Sequence, residues 1–201
     1  VVGLYNFINA NGEYMIGRVV SGIANKAVEL GTTGGLDKGQ YIDKFFAEYQ
    51  FLQSILAIII QLFLVSRIFK WVGIGGALLF LPFIALGGYG IIAFGATILL
   101  LKWVKSLENG TDYSLQKTTM AALFLKTSRE EKYKAKAAID TFFWRGGDTL
   151  SAFAVFLGVT YLAATVEGFA ALNVVCVVAW IVLSLLIARE YKKIKPPEQA
   201  K

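Results

Sequence analysis

The apolar positions of this chain fall in long blocks, not in the short alternations that mark half-buried strands. "FFAEYQFLQSILAIIIQLFLVSRIFKW" predicts a span at about 47–66, stopped by Arg67 and Lys70. "VGIGGALLFLPFIALGGYG" predicts the next, about 72–88, kinked at Pro82, with Gly73, Gly76 and Gly87 suited to close helix contact. The "GGYG" segment reads as a turn into the next block, about 91–120, the fourth counting from residue 1. Two more follow at about 138–163 and 168–188. Residues 1–18 read as the exit of a helix whose start is truncated, with Asn6, Asn9 and Glu13 near one face. Between them, residues 19–46 are mixed, and "GTTGGLDKGQ" is a loop by its glycines.

The charges between blocks alternate. Arg67 and Lys70 follow the second block, Lys126, Arg129, Lys132, Lys134 and Lys136 the fourth, and Arg189, Lys192, Lys193 and Lys195 the last. The other connections carry no charge, one acid, or three lysines balanced by three acids. This alternation predicts basic loops and a C-terminus on the cytoplasmic side. It gives an all-α membrane protein with a multi-pass domain over residues 1–195, followed by a short tail at 196–201. Six helices are half of the twelve on which many transporters are built from two similar halves.

Polar residues also enter one of the blocks. On a helical wheel Lys102, Lys105, Asn109, Asp112, Gln116 and Thr119 share about a third of the circumference. In a spanning helix such a stripe has to face a bundle interior or a water-filled cavity. In the fifth block Asp140, Trp144, Asp148 and Ser151 recur at i, i+4, i+8 and i+11, beside Arg145. They offer a natural set of partners for the stripe. The candidate solute pathway is therefore Lys102, Lys105, Glu108, Asn109, Asp112, Gln116, Asp140, Arg145 and Asp148.

Composition narrows the function classes. The 201 residues are 56% hydrophobic and 17% charged, with a formal net charge of +6. The topogenic loops account for that excess without a nucleic-acid partner. There is no His and one Cys, Cys176, inside an apolar run. No metal cluster, disulfide framework or phosphate-cradling loop is visible, so neither an enzyme nor a cofactor is expected. "KTSREEKYKAK" sets topology and suits anionic membrane lipids on the inner leaflet.

The stretch "SLENGTDYSLQKTTMAALFLKTSREEKYKAKAAIDTFFWRGGDTL" resembles the ATP/ADP translocase family of nucleotide transporters, and more closely its bacterial relatives. The match lies on Tyr113, Ser114 and Leu115, on Lys132, Lys134 and Lys136 through Asp140, and on Arg145 and Gly147. The chain departs from the nucleotide exchangers at Asp112 and Asp148, where they tend to carry Lys. The resemblance implies a major-facilitator-like fold, of which this chain is the C-terminal six-helix bundle, its N-terminal half being the missing partner. It implies a secondary transporter in the bacterial inner membrane, moving an anionic metabolite or nucleotide by alternating access. The competing expectation is a membrane anchor or sensor module that transports nothing.

Overall fold

The computed structural model describes residues 1–95, 97–127 and 129–194. Among these the chain is helical throughout, without strands, and its helices join into six rods. The first is α1 (Val2–Glu29). The second joins α2 (Lys38–Ile59) to α3 (Val65–Ala77) through a π-helical turn at Ile60–Leu64. The third is α4 (Phe80–Ala93). In the fourth, α5 (Ile98–Thr111) continues through a π turn at Asp112–Gln116 into α6 (Lys117–Leu123). In the fifth, α7 (Arg129–Ala138) runs through a third π turn, Ile139–Phe143, into α8 (Trp144–Tyr161). The sixth is α9 (Val166–Lys193).

Local chemistry sets the ends. Asp37 caps α2 through a reciprocal pair, its carboxylate accepting from the Gln40 amide at 2.9 Å while the Gln40 side chain accepts from the Asp37 amide at 3.0 Å. The hydroxyls of Thr97 and Thr165 accept from the backbone three residues on, at 3.3 Å each, and start α5 and α9. Gly95 takes φ +97°, which a side chain would resist, and so places the turn between the third and fourth rods. Gly73, at φ +71° and ψ 176°, breaks the second rod near its end.

These ends correct several expected boundaries. "GGYG" lies inside α4, which runs on to Ala93 and ends at Phe94 and Gly95. Pro82 is the third residue of α4, where no intrahelical donor is lost, so it starts a helix and kinks none. Arg67 and Lys70 lie within α3, because the lysine and arginine stems leave the helix intact and Gly73 does the breaking. The first helix does not stop at residue 18. It runs for 28 residues, about 42 Å. The basic segment after Lys126 is helix α7, not a loop. The 196–201 tail and Lys195 lie outside the described residues.

The first rod is the axis of the bundle, packed against α2, α5, α8 and α9, while α4 packs on α9 and α5. Tyr5, Ile8, Met15, Ile16 and Val20 of α1 meet Leu81, Tyr89, Leu101, Phe169 and Trp180 in one core. Two close approaches make this possible. A Cβ on Gly147 would sit 2.8 Å from Asn6 Cβ and against the Gly3 carbonyl oxygen, and one on Gly110 would sit 3.0 Å from Leu56 Cβ. Only a residue without a side chain lets the backbones come this close. Two helices, Lys38–Ala77 and Val166–Lys193, are long and apolar enough to cross a membrane.

Candidate functional site

The polar stripe of α5 is buried, and its charges meet partners from three other helices. Lys105 and Glu108 both have side chains with no solvent exposure and form an ion pair at 2.9 Å. The Lys105 ammonium also donates to Asn9 Oδ1 at 2.9 Å and to the Tyr89 hydroxyl at 3.3 Å. Tyr89 in turn donates to Glu108 at 2.9 Å. One turn toward the open face of α1, Glu13 Oε1 accepts from the Tyr49 hydroxyl at 2.9 Å and from Asn109 Nδ2 at 2.8 Å, with Lys105 at 3.7 Å. Asn109 Nδ2 also lies 2.6 Å from the Tyr49 oxygen and 3.2 Å from Gln53 Oε1. Lys102, at the rim, pairs with Glu48 of α2 at 2.7 Å.

Farther along the same rod the environment changes. Asp112 and Gln116 lie on the π turn, where one extra residue per turn re-aims the side chains that follow. Both are buried, and both line a cavity of about 360 Å³ between the start of α1, α6 and α7. Tyr5 and Trp144 wall it, and Lys117, Lys132 and Lys136 stand around it. Lys117 rests over the Tyr113 ring at 4.0 Å. Gln116 Oε1 is buried with no hydrogen-bond partner among the described residues. Among the described residues the lining holds three lysines and one carboxylate.

The fifth rod supplies only part of the set expected for the stripe. α8 packs on α1, and it is Trp144, with Lys132 and Lys136 of α7, that meets Asp112 and Gln116 at the cavity, whereas Asp148 and Arg145 do not reach the stripe. Asp148 instead accepts from Asn6 Nδ2 at 2.7 Å, and Asn6 also donates to the Trp144 carbonyl at 2.8 Å. Arg145 is exposed and joins neither the network nor the cavity. The side chain of Asp140 lies outside what the structure describes. Ser151 belongs to a separate buried triad, donating to Asn11 Oδ1 at 3.3 Å, while Asn11 donates to Asn173 Oδ1 at 3.1 Å and Asn173 to the Ile8 carbonyl at 3.0 Å.

Sequence reasoning placed Lys102, Lys105, Asn109, Asp112 and Gln116 on one face and added Glu108 to the pathway, and the structure brings all six inward or to the rim. It missed Glu13, Tyr49, Gln53 and Tyr89 as members of the network. Asn9 and Glu13 did share a helical face, but nothing in the spacing connects them to residues almost a hundred positions away.

Beside its apolar core the bundle encloses ionisable side chains and leaves large apolar ones exposed. Fully charged side chains are enclosed while Phe51, Trp71, Phe142 and Val175 are each at least two-thirds exposed, at 69%, 75%, 73% and 68%. Large apolar patches on a surface mark contact with an apolar partner or solvent. At the basic end, Lys126 Nζ donates to the carbonyls of Tyr191 and Ile194 at 3.4 and 3.1 Å, so the fourth rod and the C-terminus of α9 finish together. No family model, no curated protein and no solved structure matches the chain.

Proposed function

We propose that this chain is a membrane-embedded solute-binding bundle of a secondary transporter, working with a second bundle, and that its cavity takes a small anionic solute. The observation that carries the reading is the cavity at the basic end. It is enclosed on one side by the buried Asp112 and Gln116 and ringed by Lys117, Lys132 and Lys136. Its size is in the range of small-molecule sites, and its buried Gln116 oxygen is unsatisfied among the described residues. Enclosed ionisable groups and exposed large apolar side chains support a bilayer as the solvent. With the basic rod ends facing the cytoplasm, the cavity opens on the inner side. Phosphorylated metabolites and nucleotides are the cargo class to test first, since lysine presents a point charge to phosphate.

The anchor reading is favoured by one observation, the Asn11–Asn173–Ser151 triad, whose polar groups bond one another and would serve a purely structural bundle. Binding separates the two. The full chain in lipid nanodiscs is titrated with ATP, ADP and inorganic phosphate while the fluorescence of Trp144, in the cavity wall, is followed. A Trp144→Phe control assigns the signal. Saturable binding is expected for at least one anion, strengthened about tenfold or more by Asp112→Lys, since about 1.4 kcal/mol corresponds to a factor of ten. No saturable binding by either protein would overturn the transporter reading in favour of the anchor.

A further inference from the structure

A second recess at the basic end lies between the break in the second rod and the last turns of α9. It holds about 540 Å³ and shares no lining residue with the cavity around Gln116. Gly73 leaves the helical region, and Gly75 then lets α9 approach, since a Cβ there would stand 3.2 Å from the Ala188 Cβ. Among the described residues the charged lining is Lys126, Arg189 and Lys192. Lys126 is already engaged. It donates to the carbonyls of Tyr191 and Ile194 and lies over the Tyr191 ring at 4.5 Å. Arg189 and Lys192 are three residues apart on one helical face, both are exposed, and neither has an ion-pair or hydrogen-bond partner among the described residues. The neighbouring acid, Glu190, is taken by Lys193 at 2.6 Å.

The recess continues into an apolar zone. Val72, Gly76 and Leu79 line it and also line an adjoining groove of about 510 Å³ that passes over Phe80, Phe83 and Ile84 of α4. Those three recur at i, i+3 and i+4 and so share a face, and Val72, Phe80 and Phe83 are exposed. One continuous surface therefore runs from Arg189 and Lys192 into a trough that is apolar among the described residues. Trp71, exposed next to Val72, and Tyr191, in the recess wall, are of the two residue types enriched at the headgroup level of a bilayer.

We infer that this surface is a binding site for an anionic phospholipid of the leaflet at the basic end, with its phosphate on Arg189 and Lys192 and an acyl chain along Leu79, Phe83 and Ile84. Charge complementarity selects the occupant. A small soluble anion leaves the apolar trough empty, and a zwitterionic lipid leaves a cation without its counter-charge. The guanidinium fork of Arg189 matches two phosphate oxygens, and Lys192 adds a point charge beside it. Basic recesses between helices at a membrane surface hold anionic headgroups in this way. The site is separate from the basic helix α7, whose Lys132 and Lys136 line the solute cavity. A lipid seated here touches the end of α3, the start of α4 and the last turns of α9 at once, and so ties three rods together.

The inference rests on the membrane reading of the bundle but not on the anion cargo. The full chain is placed in phosphatidylcholine nanodiscs doped with a lipid that carries a photoactivatable diazirine on one acyl chain, either a phosphatidylglycerol or a phosphatidylcholine at the same mole fraction. Adducts are mapped by peptide mass spectrometry. Residues 153–157 of α8, where Phe153 and Phe156 are exposed, report ordinary lipid contact. The phosphatidylglycerol probe is expected to be enriched over the phosphatidylcholine probe at 72–84 and not at 153–157. Arg189→Gln and Lys192→Gln should each lower that enrichment by about fivefold and leave 153–157 unchanged. Both side chains are exposed, and circular dichroism shows that each variant is folded. Equal enrichment at the two segments, or enrichment that survives the double variant, would overturn the site. Loss of the adducts on adding soluble glycerophosphate would overturn it too, by making it a site for a free anion. No adducts on either segment would sink the membrane reading and this inference with it, whereas enrichment without anion binding in the Trp144 titration would sink the transporter reading alone.

Discussion

Two polar regions share one rod, roughly 16 Å apart by helical rise from Lys105 to Gln116, and they are built on opposite terms. Around Lys105 the donors and acceptors answer one another: Asn9, Tyr89, Glu108, Glu13 and Tyr49 form a connected network drawn from four rods. Around Gln116, among the described residues, a buried oxygen has no partner, a carboxylate faces a cavity, and three lysines line the same cavity. A connected network specifies how helices assemble, since a low-dielectric interior rewards satisfied polar groups and penalises orphaned ones. An unfinished one holds its polar groups ready for something that is not part of the fold. The π turn at Asp112–Gln116 marks the border between the two.

Breaking the satisfied region should produce the largest effect. Lys105→Ala leaves Glu108 ionised, enclosed and without its cation, which costs about 3–5 kcal/mol. The expected outcome is a large drop in melting temperature in detergent. The double change Lys105→Met with Glu108→Leu removes both charges together and should recover most of that loss. A double variant no more stable than the single one would mean that the pair is not what holds these helices.

A smaller loss is expected at the triad. Asn11→Leu strips the donor from Asn173 Oδ1 and the acceptor from Ser151, both fully or almost fully buried, and costs about 1–3 kcal/mol. Comparison of its denaturant midpoint with that of Asn11→Asp distinguishes lost hydrogen bonds from added charge. If Asn11→Leu is as stable as the wild type, the triad contributes nothing and the satisfied region is confined to α5 and its neighbours.

The stripe on α5 was legible because helical periodicity alone says which residues share a face, and a charged face inside an apolar block has few places to go. The six rods were legible for the same reason. What periodicity does not carry is which neighbour a face meets. Asp148 and Ser151 share a face of α8, but that face meets Asn6 and Asn11 of α1. Boundaries went astray where glycines gave competing signals. Gly87, Gly88 and Gly90 look like a turn, yet they are helical, with Gly88 buried against Val104, whereas the lone Gly95 holds the backbone that a turn requires. Glu13 was visible as one polar residue on a helix. Its role depends on Tyr49 and Lys105, and that is a matter of tertiary structure.

The smallest effect is the most discriminating, because its sign differs between the two regions. Gln116→Leu removes a buried oxygen that has no partner among the described residues and fills the space with apolar volume, next to Met120, Ala121 and Phe124 of the same wall. Removing an unsatisfied buried polar group relieves its desolvation, so the variant should be about 1 kcal/mol more stable than the wild type, whereas polar-to-apolar changes in the satisfied region destabilise. The same variant should weaken anion binding in the Trp144 fluorescence titration, as the cavity loses an amide that faces it. Stabilisation together with weakened binding is what a functional site set against its own fold produces. A destabilised Gln116→Leu would mean that Gln116 is held by partners after all, and that the cavity end of the rod is built on the same terms as the network around Lys105.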